Sequence, residues 1–115
     1  MEKPNISFDT ERLYVRSVEE TDKDDYMNLR VETSELSQAY QSVPGFRDYE
    51  WEGELNSRKD IYMAVFMKTN DKMVASCSFQ GYVGDSVELG FDVEEQYRKQ
   101  GIATELVQGM LRTVS

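Results

Sequence analysis

The stretch from Val87 to Ala103 places the strongest constraint on the fold of this chain. The alternating run Val87 to Val93 predicts a strand, and a helical pattern begins near Gly101. Between them stands Arg98-Lys99-Gln100-Gly101-Ile102-Ala103, which has the spacing R-x-x-G-x-A. Helix N-termini carry unpaired N–H groups and a positive dipole end, and glycine lets a ligand approach the backbone closely. A strand, a turn and a helix in this order therefore predict a site for an anionic phosphate.

The length and the hydrophobic content of the chain limit the number and kind of domains that it can form. A chain of 115 residues, 39% hydrophobic and 30% charged, forms one domain at most, and we expect it to cover 1–115. There is no run of about 18 apolar residues, so we expect no membrane span. The sequence Met-Glu-Lys-Pro-Asn at the start lacks the apolar core of a signal peptide. These features favour a cytoplasmic protein.

The charge balance is acidic. The net charge is −9, and residues 1–60 carry 15 acidic and 8 basic side chains against 7 and 5 in residues 61–115. Nucleic-acid binding is disfavoured because phosphate contacts require clustered Lys and Arg. The negative electrostatic potential of such a protein would attract a cationic substrate such as an amine. The alternative is that the acidity only maintains solubility.

Cysteine and histidine content limits the redox and metal chemistry. Cys77 is the single cysteine, it lies in an apolar alternating run, and histidine is absent. We interpret Cys77 as a buried inert thiol rather than a reactive one. The same composition argues against a structural zinc site, and we expect no metal.

The periodicity predicts the order β-α-α-β-β-β-α, an α+β fold. We expect strands over 11–17, 61–68, 73–82 and 87–93, with a hairpin turn at Thr69-Asn70-Asp71-Lys72 and a second turn in 81–86. A first helix is predicted after Thr21, which with Asp24 resembles a capping box, and a second over 47–58. The last helix presents six apolar residues at helical spacing: Ile102, Leu106, Val107, Met110, Leu111 and Val114.

Two segments carry a family resemblance. The segment from Glu88 to Val107, with Arg98, Gly101 and Ala103 at the motif positions, resembles the acetyl-CoA-binding motif of the GCN5-related N-acetyltransferases. The opening Phe8-Asp-Thr-Glu-Arg-Leu-Tyr-Val-Arg16 is similar to the first strand of the ribosomal-protein N-acetyltransferase branch. The resemblance implies a mixed, mostly antiparallel sheet with flanking helices.

The resemblance also implies a reaction and a cofactor. The expected activity is N-acetyltransfer, in which an amine attacks the thioester of acetyl-CoA directly. Backbone groups of the strand end would bind the pantetheine arm and the turn would bind the pyrophosphate. The implied cofactor residues are Phe91, Asp92, Val93, Arg98, Lys99, Gln100, Gly101, Ile102, Ala103 and Thr104.

Glu88 is the candidate general base. Relatives often place a Glu that acts through water on this strand, and an apolar floor would raise the pKa of such a carboxyl. The alternative is a solvated or salt-bridged strand carboxylate, and Asp92 is a weaker candidate for the same role. By strand alternation, Glu88 shares a face with Gly90 and Asp92, opposite Leu89, Phe91 and Val93.

An aromatic cluster lies in the region that relatives use as a lid over the acceptor amine. Core packing is the alternative role for these side chains. The cluster comprises Tyr40, Phe46, Tyr49 and Trp51.

The chain departs from the family pattern at its end. Family members continue with more strands, and the usual proton donor is a tyrosine beyond the last helix seen here. Without the next strand, residues 87–93 would form an open edge and part of the apolar helix face would be exposed. The explanations left open are an engineered fragment, a natural fragment and a homodimer that completes the sheet. The alternative function is a non-catalytic acyl-CoA-binding or dimerising module. The acceptor, a small-molecule or peptide amine, is not specified by the sequence.

Overall fold

A five-stranded antiparallel sheet organises the chain. The computed structural model describes residues 5–83 and 86–114. In these ranges the strands are β1 (Ser7–Asp9), β2 (Leu13–Ser17), β3 (Ile61–Met67), β4 (Met73–Val83) and β5 (Ser86–Val93). Their order in the sheet is β1-β2-β3-β4-β5, and each neighbouring pair is antiparallel. The predicted hairpin of β3 and β4 is confirmed, whereas the turn predicted in 81–86 lies partly outside the described residues.

Helices flank the sheet, which confirms the predicted α+β class. They are α1 (Lys23–Thr33), α2 (Ser37–Ser42), α3 (Phe46–Leu55) and α4 (Ile102–Val114), with 3₁₀ turns at Glu20–Asp22 and Glu95–Tyr97. No helix in the described ranges is both long enough and apolar enough to cross a bilayer.

The predicted first strand over 11–17 is wrong at its start, because the chain turns there. β1 and β2 form a hairpin in which Ser7 pairs with Arg16. The Thr10 N–H donates to the Leu13 carbonyl at 2.8 Å, and the Leu13 N–H donates to the Thr10 hydroxyl at 3.2 Å. These local hydrogen bonds close a turn that the alternation of apolar and polar residues in the sequence does not reveal.

The first helix begins differently from the prediction. The capping box joins Glu19 to Asp22, two residues before the predicted Thr21 and Asp24, and the Glu19 N–H donates to the Asp22 carboxylate at 2.7 Å. Asp22 is buried because Arg16 also donates to it, at 2.7 and 3.0 Å. Helix α2 was not predicted, since its six residues contain one buried side chain and no apolar period.

Two apolar layers lie on opposite faces of the sheet. The face under α4 packs Met63, Val65 and Phe79 against Leu106 and Met110, which are fully enclosed. The face under α1–α3 is a second cluster that includes Tyr26, Met27, Tyr40, Trp51 and Ala64. Each strand of the sheet centre therefore buries both faces, in the three-layer arrangement that helices on both sides of a sheet require.

The predicted open edge is confirmed. β5 is the last strand of the described sheet, and Phe91 on it is 45% exposed. On α4, Ile102, Leu106 and Met110 are buried, but Leu111 and Val114 are 50% and 44% exposed. The apolar face of α4 is thus only partly covered by the described residues.

Candidate functional site

The turn before α4 presents a row of free backbone donors. Lys99 and Gly101 have φ values of 64° and 79°, in the left-handed region that favours glycine. A non-glycine residue there costs roughly 1–2 kcal/mol, so the strain at Lys99 is held by the surrounding structure. Within the described part of the chain, the N–H groups of residues 99–104 donate to no protein acceptor. Six successive donors at a helix N-terminus form a concave site for an anion.

The other groups of the turn fix its shape. The Arg98 Nε donates to the Val93 carbonyl at 3.0 Å, which ties the turn to the end of β5. The Gln100 side chain donates to the Gln96 carbonyl at 2.9 Å. Ile102 is buried and Ala103 is half-buried, so their side chains anchor the helix while their backbone faces the turn. Thr104 is exposed and offers a further hydroxyl.

Arg12 reaches the same turn from the β1–β2 hairpin. Its Nη1 donates to the Gln100 carbonyl at 3.0 Å, and its Nε donates to Glu105 at 2.7 Å. Its Nη2 donates to no acceptor among the described residues and lies 3.3 Å from where a Cβ on Gly101 would stand. A guanidinium held on two sides therefore places one free N–H group beside the free backbone donors.

Glu105 holds this arrangement together. Its carboxylate also accepts hydrogen bonds from the Thr10 hydroxyl and from the Arg12 N–H, the latter at 2.8 Å. Burial opposes ionisation of Glu105, but the hydrogen bonds from Thr10 and Arg12 outweigh it and hold the pKa of the carboxyl below its ordinary value. The first turn of α4 is thereby joined to the β1–β2 hairpin.

The open edge of β5 leads into the turn. The Glu94 N–H donates to the Val74 carbonyl at 2.8 Å, so by the alternation of an antiparallel pair the backbone of Asp92 also faces β4. The backbone groups of Phe91 and Val93 then face the open edge. Of the three strand residues predicted to bind the cofactor through their backbone, two are placed where an extended ligand can reach them.

Glu88 and Asp92 lie on the α1–α3 side of β5, as alternation predicts. Both are exposed, and the cross-strand neighbour of Glu88 is the polar Gln80. The apolar floor expected beside Glu88 is therefore not observed. Asp92 differs from Glu88 because its side chain stands at a cavity of about 720 Å³ between the sheet and α1 and α3.

The remaining sequence predictions concern Cys77 and the aromatic cluster. Cys77 is buried, and burial raises the pKa of its thiol to about 12, which agrees with an inert thiol. Tyr40 stacks on Phe46 with ring centroids 4.8 Å apart, and Trp51 is buried, so these rings pack in the core. Tyr49 alone of the four is largely exposed, at 74%.

Comparisons with known proteins identify the family to which this chain belongs. The sequence profile of the acetyltransferase (GNAT) domain matches residues 9–115. A strand with an open edge, a turn of free N–H groups and a helix thus lie within the residues that match this domain. The chain belongs to the GNAT acetyltransferase family, which confirms the resemblance. No curated protein sequence matches the chain significantly.

Solved structures share the fold at low identity. A ribosomal-protein-S5-alanine acetyltransferase from Vibrio fischeri has a TM-score of 0.67 at 17% identity, over 93% of this chain and 66% of that one. A ribosomal L7/L12 alpha-N-protein acetyltransferase in complex with coenzyme A has a TM-score of 0.74 at 15% identity, over 94% and 67%. A spermidine N-acetyltransferase chimera from Vibrio cholerae and hSSAT has a TM-score of 0.68 at 17% identity, over 90% and 63%. The chain spans about two thirds of the length of these structures.

Sequence reasoning missed Arg12 and Glu105 as parts of the site. Arg12 was assigned to a strand, and its partner Glu105 is 93 residues away. The one available signal was an acidic residue in the first turn of a predicted helix, which is common for dipole reasons alone. The cavity beside Asp92 was missed as well, because its walls come from separate helices and strands.

Proposed function

We propose that the chain is the acetyl-CoA-binding part of an N-acetyltransferase that transfers the acetyl group to an amine by direct attack. The row of unpaired N–H groups at 99–104, continuous with the open edge of β5, carries the proposal. The pyrophosphate would accept hydrogen bonds from these donors. Arg12 Nη2 and the charges of Arg98 and Lys99 would add to its binding.

The pantetheine arm is proposed to lie along β5. The outward N–H and carbonyl of Phe91 and the outward N–H of Val93 provide donors and an acceptor for an extended amide chain, whereas the Val93 carbonyl is bonded to Arg98. This placement brings the thioester beside Asp92, at the mouth of the cavity. The same backbone donors would stabilise negative charge on the thioester oxygen.

The reaction needs a neutral amine and a proton acceptor. In the proposed step the amine nitrogen forms a bond to the thioester carbon, and the C–S bond breaks as the thiolate of CoA leaves. Before attack, the substrate ammonium loses one proton through water to Glu88. During attack the nitrogen loses its second proton to solvent, and the thiolate takes a proton from solvent. The acceptor is a small-molecule or peptide amine. The solved relatives are named for ribosomal-protein and spermidine acetylation, which are both reactions of amines.

The test is a calorimetric titration with acetyl-CoA, with analytical ultracentrifugation of the same sample. Gly101→Trp should abolish binding because the indole fills the space that the pyrophosphate needs. Gly45→Trp is the matched control, since Gly45 has the same φ of 79° and its Cβ would meet nothing within 4 Å. Both variants place a side chain on a backbone with a φ of 79°, and only Gly101 lies at the proposed site.

The outcomes are distinct. Loss of binding in Gly101→Trp alone supports the proposal, and equal loss in both variants attributes the effect to folding. Unchanged affinity in a folded Gly101→Trp variant would overturn the assigned site. Tight binding without turnover for any amine would favour the non-catalytic alternative, and a dimeric mass would identify a second copy that completes the sheet.

A further inference from the structure

A polar cavity lies on the sheet face opposite α4. It has a volume of about 720 Å³, which matches the size of small-molecule sites. Its walls come from α1, from residues 34–36 that follow it, and from α3, and its floor comes from β3, β4 and β5. The floor leaves space for a ligand because it carries small residues, which are Ser76, Ser78 and Gly90. A Cβ on Gly90 would stand 2.9 Å from the Ser78 hydroxyl. Small side chains therefore create room directly beside the β5 edge.

Ser76 supplies an unused hydrogen-bonding group on this floor. The residue is 6% exposed, and within the described residues its hydroxyl has no partner. Among the described side chains, no fully enclosed N or O atom lacks a partner, so the Ser76 hydroxyl opens into the cavity that it lines. Its neighbour Ser78 differs, because the Ser78 hydroxyl accepts a bond from Gln80 at 2.7 Å. A hydroxyl of a buried residue that opens into a cavity without a protein partner is available to a ligand group at that place.

Asp92 stands directly across the β4–β5 pair from Ser76. Residues opposite each other in an antiparallel pair have Cβ atoms about 5 Å apart, on the same face. Asp92 is in no ion pair among the described residues. A hydroxyl and a free carboxylate at this spacing fit a primary ammonium, which has three donors and no acceptor.

Arg30, the one cation among the described residues that line the cavity, is already engaged. Arg30 donates to both carboxylate oxygens of Glu54, at 2.7 and 2.6 Å, and to the Tyr26 hydroxyl at 3.2 Å. Tyr26 in turn donates to Glu54 at 2.6 Å. This buried network is satisfied within itself, so it shapes the wall without offering a charge to a ligand.

The remaining charged groups of the lining are carboxylates. They are Glu35, Glu50 and Asp92. Tyr62 also faces the cavity, and burial together with the nearby Glu54 raises the pKa of its hydroxyl, so it stays neutral at physiological pH. The cavity therefore combines a net negative charge with neutral hydrogen-bonding groups.

We infer that this cavity binds the acceptor and that the acceptor carries at least two positive charges, as a linear diamine or polyamine does. The reacting ammonium lies between Ser76 and Asp92, beside the proposed thioester, and the second ammonium lies toward Glu50. The inference rests on the proposed function, and it adds a substrate class to it. A monoamine would leave one end of the negative cavity without a counter-charge, which lowers its affinity.

The experiment compares amines of equal length on the chain saturated with coenzyme A. By calorimetry, 1,4-diaminobutane should bind at least about tenfold more tightly than 1-aminobutane, the effect of one charged contact. Glu50→Gln should remove most of that difference, whereas Asp92→Asn and Ser76→Ala should each weaken the binding of both amines. Glu52→Gln, an exposed carboxylate on the same helix as Glu50, is the matched control and should change nothing.

Equal affinity for the two amines, or a preference unchanged in Glu50→Gln, would overturn the inference. So would a peptide with a free N-terminus and no other positive charge that binds more tightly than the diamine. The coenzyme A titration that precedes each experiment reports separately on the proposed cofactor site. Far-ultraviolet circular dichroism of each variant shows that it is folded.

Discussion

At the scale of single residues, the candidate site depends on side chains that hold one another in place. Arg12 bonds to Gln100 and Glu105 and keeps its Nη2 beside Gly101. The same principle operates across the sheet, where Arg30, Glu54 and Tyr26 satisfy one another. Such mutual bonding removes the rotational freedom that a ligand would otherwise have to restrict on binding.

Arg12→Met is expected to weaken coenzyme A binding by about tenfold to a hundredfold. The change keeps the apolar stem and removes the Nη2 group that is proposed to donate to phosphate, and a charged hydrogen bond of this kind is worth roughly 1.5–3 kcal/mol. Calorimetric titration measures the effect. Arg58→Met removes a charge from an exposed position elsewhere and should leave the affinity unaltered. An affinity equal to that of the unmodified chain would exclude Arg12 from the phosphate site.

Glu88→Gln is expected to reduce turnover by about 10²–10⁴-fold without changing coenzyme A affinity, because it removes only a proton acceptor. Steady-state rates measure the turnover, and calorimetric titration measures the affinity. Glu94→Gln, just beyond the end of the same strand, is the control. A variant with the normal rate would show that Glu88 is not the base.

At the scale of elements, the position of α4 decides whether the turn that precedes it contacts the β1–β2 hairpin. Gly109 lies where α4 crosses β1, and a Cβ there would stand 2.8 Å from the Phe8 ring and 2.8 Å from the Thr10 methyl. Thr10 has little freedom to move because its hydroxyl is bonded to Glu105 and Leu13. The close packing of α4 against the β1–β2 hairpin therefore requires a glycine at position 109, although this position lies inside a helix.

Gly109→Ala is expected to lower the free energy of unfolding by about 1 kcal/mol. Alanine favours a helix by about 1 kcal/mol over glycine, but overpacking a tight contact costs roughly 1–3 kcal/mol and should outweigh it. Urea denaturation gives the difference. Gln108→Ala, at an exposed neighbouring position, should have little effect. A stabilised Gly109→Ala variant would mean that the helix can move away from the hairpin at low cost.

At the scale of the whole molecule, Glu105 links residues close to the two ends of the described chain. Its folded-state pKa is lowered, so its contribution to stability is complete above the unfolded value of about 4.3 and is lost as pH falls through the folded value. The bonds to Thr10 and Arg12 are made by the ionised form. Acid therefore weakens the attachment of α4 to the β1–β2 hairpin.

Glu105→Gln is expected to be less stable than the unmodified chain at pH 7, with a gap that narrows below about pH 4. Urea midpoints from pH 7 to pH 3 follow this change. Glu11→Gln removes an exposed carboxylate from the same turn and serves as the control. A gap that stays constant with pH would show that the ionised carboxylate is not the source of the stability.

The strand, turn and helix around Gly101 were predictable from sequence because their geometry depends on neighbouring residues. Local φ angles and the helix start determine where free N–H groups occur. The burial of Glu54 was not predictable, because a carboxylate in a charged helical segment is expected to be exposed to solvent. Its burial becomes possible because Arg30 and Tyr26, from another helix, form hydrogen bonds with it.

The sequence by itself therefore determined the family, the β3–β4 hairpin and the strand, turn and helix around Gly101, which are properties of short segments. Tertiary structure decided that Arg12 joins that turn and that Ser76 and Asp92 share a cavity. These contacts join residues 16 to 93 positions apart. Periodicity places a side chain on a face, whereas the packing of separate elements decides which side chains meet across it.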